Sequence, residues 1–141
     1  MKLEKFNLLN EIYYKKEYIS LYLSEGESIF EFSYLEEGEF FYNIAIKRPI
    51  NKIGDKSLSC CYYDLETVYG YGGFVTNSRN KNFVRRALEK YSEKCLEESI
   101  IAEFLRFHPL NFFIRDYPDF FEMVSYDRDL VFVDLDSTNE E

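Results

Sequence analysis

Tryptophan is missing from the 141 residues, and histidine occurs once, at His108. A single imidazole excludes a multi-histidine metal centre and a two-histidine proton relay. Cysteine is scarce as well. Cys60 and Cys61 are adjacent and Cys95 stands alone, so there is no CxxC zinc or redox spacing and no paired disulfide framework. The three thiols read as small buried hydrophobes. Basic charge is in deficit: 17 Lys and Arg against 26 Asp and Glu leave a net charge of −9, which disfavours attraction to DNA or to an anionic bilayer. No window approaches the roughly 20 apolar residues of a transmembrane segment, and the charged start MKLEKFNLLNEIYYKKEY holds no signal-peptide core, so a cytoplasmic protein is expected.

What is present is apolar and aromatic. A hydrophobic content of 46% in a chain of this length fits one globular domain that buries roughly two-thirds of its unfolded surface. The pattern is α+β. Apolar positions from Leu8 to Leu23 predict a helix, although Lys15, Lys16 and Glu17 interrupt it. Phe30, Phe32 and Tyr34 alternate with polar residues, and Phe40, Tyr42, Ile44 and Ile46 repeat the two-residue period after Glu36-Glu37-Gly38, which predicts a hairpin. The run LSCCYYDL (Leu58 to Leu65) and the strand Ile100 to Phe107 are apolar on both parities and are expected to lie centrally, buried on both faces. Between them, Phe83, Val84, Ala87, Leu88, Tyr91, Cys95 and Leu96 recur at helical spacing, with Ser78 or Asn80 as N-cap. The opposite face carries Arg79, Lys81, Arg85, Arg86, Lys90 and Lys94 and reads as a solvated basic surface. A final hairpin, FFEMVSY then LVFVDL, turns at Asp127-Arg128, and the tail STNEE reads as unstructured.

The chemistry concentrates in YDLETVYGYGGF, Tyr63 to Phe74, where two acids and three tyrosines share a short stretch with three glycines. Glycine permits close backbone approach, and tyrosine offers an apolar body with a polar tip. The stretch matches neither GxxxxGK[ST] nor GxGxxG opening a helix directly. It therefore suits either a turn within a core or a loop laid against a ligand. Side-chain alternation puts Arg106 and His108 on one face of their strand and Glu103 on the other. Arg106 is then either a ligand-binding cation or the partner of an acid at the core edge such as Asp64 or Glu66.

IAIKRPI (Ile44 to Ile50), YDLETVYGYGGF and IIAEFLRFHPL (Ile100 to Leu110), closing with VFVDLD, resemble the N-terminal half of FemAB-like proteins. These are two-domain members of the GNAT acyltransferase superfamily, found among cell-envelope and polysaccharide enzymes. The resemblance covers roughly residues 10 to 136, and YGYGG and RFHP are its most specific elements. It implies a GNAT-like mixed β-sheet flanked by helices, with residues 1–136 as one domain and 137–141 as a tail or the start of a linker. It also implies transfer of an acyl or aminoacyl group to an amine of a cell-envelope or polysaccharide precursor.

The chain departs from the family at Phe74, where many relatives have proline, and it lacks the [QR]xxGx[GA] donor loop. It stops where relatives continue into a second GNAT-like half. The expectation is an acceptor-binding domain, inactive alone, that binds no cofactor by itself. Acyl-CoA or aminoacyl-tRNA would be the donor in a complete protein, and a second GNAT-like domain or chain the partner. The implied acceptor site comprises Tyr69, Gly70, Tyr71, Gly72, Gly73, Arg106 and His108, with Asp64 or Glu66 orienting or deprotonating the amine. The alternatives are a non-catalytic module binding a ligand or partner through the same loop, and an oligomerisation scaffold in which the loop is purely structural.

Overall fold

In the computed structural model, which describes residues 7–131, the hairpin forms as expected: β1 (Ser28–Glu36) pairs antiparallel with β2 (Glu39–Ile53) across a tight turn at Glu37-Gly38. Strand β2 then turns at Gly54-Asp55 into β3 (Lys56–Glu66), again antiparallel. The two-residue β4 (Val75–Thr76) pairs with the start of β2. After helix α2 (Lys81–Glu97), β5 (Ile100–Phe104) runs parallel to β3. A right-sized helical crossover is what a parallel neighbour requires. The chain is thus α+β, a mixed sheet in the order β1-β2-β3-β5 flanked by helical segments.

Strand periodicity splits the core in two. Phe30, Phe41, Ala45 and Leu65 face Phe83, Val84, Ala87 and Tyr91 of α2, and Phe113 of the short helix α3 (Phe113–Asp116) joins them. Ile44, Ile46 and Val75 point the other way, against Leu8, Tyr14 and Ile19 of the N-terminal segment. Phe74 is buried at the centre of the first cluster, 5.1 Å from the rings of Phe41 and Tyr91 and 5.4 Å from Phe113. Burying each such ring contributes about 1.5–3 kcal/mol, which accounts for an aromatic residue at this point of the loop.

Helix α2 follows its apolar stripe. Asn80 is the N-cap, its side chain accepting from the amides of Asn82 (3.0 Å) and Phe83 (3.4 Å). Ser78 supports it by accepting from the Asn80 amide. The basic face is largely neutralised: Arg86 meets Glu36, Lys90 meets Glu93, Lys94 meets Glu98, and Arg79 lies 3.5 Å from Asp116.

Five expectations are corrected. The N-terminal helix is instead two 3-10 turns (Leu8–Asn10, Ile12–Tyr14) and a five-residue helix α1 (Lys16–Ser20), because Glu11 and Lys15 take extended backbone angles between them. The buried residues Leu8, Tyr14 and Ile19 are spaced six and five apart, so each anchors singly and no continuous helical face exists. Strand 58–65 is interior to the sheet order, but among its described side chains Leu65 alone is buried, since Lys56, Ser57 and Tyr62 pair with β2 and β5 joins from Tyr63. Strand 100–107 is not central. Among the described residues β5 is the sheet edge, with Ile101 and Phe104 exposed. Cys61 is exposed and not buried, for it lies ahead of Tyr63, where β5 joins. Cys95 is half-buried at the edge of the α2 core, and burial pushes its thiol up to about 11. Residues 120–126 form no strand beyond a 3-10 turn at Pro118–Phe120, and the second half of the expected hairpin, with the tail, lies largely outside the described residues.

Candidate functional site

The loop after β3 begins by following β5. The Thr67 amide donates to the Phe104 carbonyl (3.2 Å), and Thr67 Oγ1 accepts from the Arg106 amide (3.3 Å). Residues 68–71 then leave the sheet and return at Gly72, whose amide donates to the Arg106 carbonyl (2.9 Å) in an isolated parallel bridge to Phe107. The buried Tyr14 hydroxyl donates to the Gly72 carbonyl (2.8 Å), and burial raises its pKa, so it stays a donor. Gly72 and Gly73 are therefore buried backbone at the sheet margin, with Gly73 against the ring of Phe107.

The excursion creates a cleft of about 350 Å³ on the face that carries the N-terminal segment. Its floor is Ile46 and Arg48 of β2, Glu66 of β3, and Phe104 and Arg106 of β5 and its continuation. Its rim is Tyr69 and Gly70 from the loop, facing Tyr22 and Glu27. The rings of Tyr22 and Tyr69 stack at 5.9 Å with 18° between planes, and both remain exposed. Tyr18 holds the rim, its hydroxyl donating to the Tyr69 carbonyl (3.2 Å). Gly70 has no room for a side chain because the Tyr13 ring presses on it.

Of the expected site residues, Glu66, Tyr69, Gly70 and Arg106 meet at this cleft. Tyr71 and His108 sit behind it, their rings 5.4 Å apart and both packed on Tyr13. His108 Nδ1 accepts from the Leu110 amide (3.2 Å), burial lowers its pKa, and its ring packs against Tyr13 and Tyr71. Gly72 and Gly73 do not line the cleft; they anchor the loop that forms its rim.

Arg48 organises the acids. Its Nε and Nη2 donate to the two oxygens of Asp64 (2.8 and 2.9 Å), and Nη1 donates to Glu66 Oε2. This fork-to-fork pairing commits both Asp64 oxygens, leaving Asp64 without a lone oxygen for an incoming amine. Glu66 retains Oε1. The acids thus belong to Arg48, and Arg106 forms no ion pair among the described residues. Arg48 was not singled out from the sequence. The turn pair Gly54-Asp55 between alternating segments marks a hairpin, but that turn alone sets Arg48 opposite Cys61, and only a register shift between Ile50 and Lys52 brings it opposite Asp64.

Among the described residues no group of acids, cysteines and histidine is arranged to hold a metal ion, and no helix is long and apolar enough to cross a membrane. No family model, curated protein or solved structure matches the chain.

Proposed function

We propose that this chain is the acceptor-binding domain of a GNAT-like acyl- or aminoacyltransferase, and that the cleft beside Tyr69 and Gly70 takes an amine-bearing cell-envelope or polysaccharide precursor. The observation that carries the reading is Arg106, a guanidinium on the cleft floor with no ion pair among the described residues, in the same cleft as Glu66, whose Oε1 has no hydrogen bond among them. A cation and an acid in one aromatic-rimmed cleft suit a molecule with both an anionic group and an amine. The mixed sheet flanked by helices agrees with the resemblance.

On this reading Arg106 grips a carboxylate or phosphate of the acceptor, and Tyr22 and Tyr69 cover its apolar faces. Glu66 Oε1 accepts a hydrogen bond from the amine. The amine attacks the donor carbonyl, a C–N bond forms, the donor's thioester or ester bond breaks, and the amine proton leaves to Glu66 or to water. The protein's contribution is positioning. The donor, acyl-CoA or aminoacyl-tRNA, is held by a second domain or chain.

Calorimetric titration with a soluble muramyl peptide carrying a free lysine amine tests the cleft. Arg106→Ala removes an exposed side chain without an ion pair, so its melting temperature stays unchanged while affinity falls about tenfold, the worth of one charge-assisted contact. Equal affinity of the variant and the parent chain, or tight binding to a folded Arg106→Ala variant, overturns the reading.

A further inference from the structure

The opposite face of the sheet holds a second, larger groove of about 650 Å³ between α2, β5 and residues 118–122. Its walls are apolar, formed by Leu88 and Leu96 of α2, Leu105 beyond β5, and Phe120 and Phe121. On one wall sits Glu103, which β5 alternation turns away from Arg106. Glu103 Oε1 accepts two hydrogen bonds, from the Tyr91 hydroxyl (2.8 Å) and from Asn43 Nδ2 (2.9 Å). Asn43 Nδ2 also donates to the Tyr91 hydroxyl (2.9 Å). No ion pair reaches Glu103 among the described residues.

Two features set this carboxyl apart from a structural one. A carboxylate withdrawn from water normally has a cation beside it, and this one has only neutral donors. Asn43 is fully buried, and its Oδ1 has no hydrogen-bond partner among the described residues. An orphaned buried acceptor is destabilising, because it has given up water without gaining a partner. The amide accepts that cost while both its hydrogen bonds run toward the Tyr91 and Glu103 oxygens, holding the carboxyl at the groove.

We propose that this groove is a binding site for a primary amine with an apolar stem, the ammonium pairing with Glu103 and the stem lying between Leu88, Leu105 and Phe121. The missing cation is then the ligand's. Apolar walls with one oriented acid give the affinity to the stem and the selectivity to the ammonium. The site lies on the other side of the sheet from the Arg106 cleft and does not depend on the acyltransferase reading. The rim charges agree in sign, since Glu89 and Glu122 line the groove against Arg85, while Glu93 there is paired with Lys90.

The probe is 2-phenylethylamine, titrated into the chain by amide-resolved NMR at about pH 8, where the carboxyl is ionised. Saturable shifts at Ser92, Glu103 and Leu105 are expected, with 2-phenylethanol binding about tenfold more weakly because it lacks the charge. Glu103→Gln preserves the acceptor for Tyr91 and Asn43 and so keeps the fold, while amine affinity falls about tenfold. Ser92→Trp, an exposed α2 position on the groove, fills the space without touching the Glu103 contacts and abolishes the shifts.

Burial pushes the Glu103 carboxyl up to about 7. Parent affinity therefore falls between about pH 8 and pH 5.5, and Glu103→Gln shows no such step. The other ionisable groups on this side are Tyr91, Cys95, Arg85, Glu89 and Glu93 of α2, Glu98 just after it, Lys47 of β2, and Glu122. A step that survives in Glu103→Gln belongs to one of them and overturns the assignment. So do unchanged affinity in that variant, shifts confined to Tyr69 and Arg106, and an absence of saturable binding.

Discussion

Replacing Gly73 by alanine separates a packing role for the YGYGG stretch from a ligand-contact role. Gly73 has φ +90°, and a β-carbon there would sit 2.7 and 2.8 Å from two atoms of the Phe107 ring. Left-handed backbone at a non-glycine residue costs about 1–3 kcal/mol. The ring has little room to yield. Phe107 lies 6.4 Å from Phe113 in a parallel stack, 5.4 Å from Phe121 and 6.3 Å from Phe74. Forcing a methyl into such a contact adds about 1–3 kcal/mol. The two terms together give a loss of about 2–6 kcal/mol, or a drop of roughly 7–20 °C in Tm at this chain length.

Gly38 supplies the control, because its φ is +85° and a β-carbon there meets nothing within 4 Å. Gly38→Ala thus carries the backbone term alone. Urea and thermal melts of both variants should place Gly73→Ala about 1–3 kcal/mol below Gly38→Ala. Adding Phe107→Leu to Gly73→Ala should recover part of that gap as a coupling energy, since the two side chains compete for one volume. Equal losses for the two glycines, or no coupling to Phe107, refute the packing account and return Gly73 to the list of ligand contacts.

Tyr14→Phe deletes the buried hydroxyl that donates to the Gly72 carbonyl. The expected loss is about 1 kcal/mol by chemical denaturation; a change near zero means that water replaces the bond. Glu103 makes stability depend on pH. Its folded pKa, about 7, lies above its unfolded value, so the folded state holds the proton longer and this group's contribution is full below the unfolded pKa. It is lost as pH rises from about 4.3 through 7. Melts of Glu103→Gln against the parent across that window should show the variant gaining relative stability as pH rises; parallel curves contradict the assignment.

The parts of the fold legible in the sequence are those with one dominant period. The β1–β2 hairpin and α2 with its Asn80 cap follow from alternation and from a helical stripe that tertiary packing reinforces. The N-terminal segment was not legible because its anchors Leu8, Tyr14 and Ile19 are set by holes in the sheet face and not by helical repeat. Within the candidate site, Tyr69, Gly70, Glu66 and Arg106 were legible as a loop and a strand end, and they meet at one cleft. Arg48 was not, because its place opposite Asp64 depends on a register shift between Ile50 and Lys52 in the hairpin that turns at Gly54-Asp55, and alternation alone does not show that shift. Gly72 and Gly73 looked equivalent to Gly70 in the string. Only the return of the chain to Arg106 and Phe107 distinguishes them.

Strand β5 shows why an apolar pattern on both parities does not specify a central strand. Among the described residues it has β3 on one side and no strand on the other. Both of its faces are nevertheless used. Glu103 and Leu105 form a wall of the groove under α2, and Phe104 and Arg106 form the floor of the cleft under Tyr69. Two-sided use therefore comes from a hollow on each face, whereas a central strand gets it from two packed cores. The discriminating sign lies in the charges interleaved with the apolar residues. A strand sealed in two cores would have to neutralise an acid and a base within itself or with its neighbours. Here Glu103 and Arg106 point to opposite faces and neither has an ion-pair partner among the described residues, while Asp64 and Glu66 on the adjacent strand are held by Arg48. On the two proposals above, this edge strand presents Arg106 to an anionic group on one face and Glu103 to a cationic one on the other.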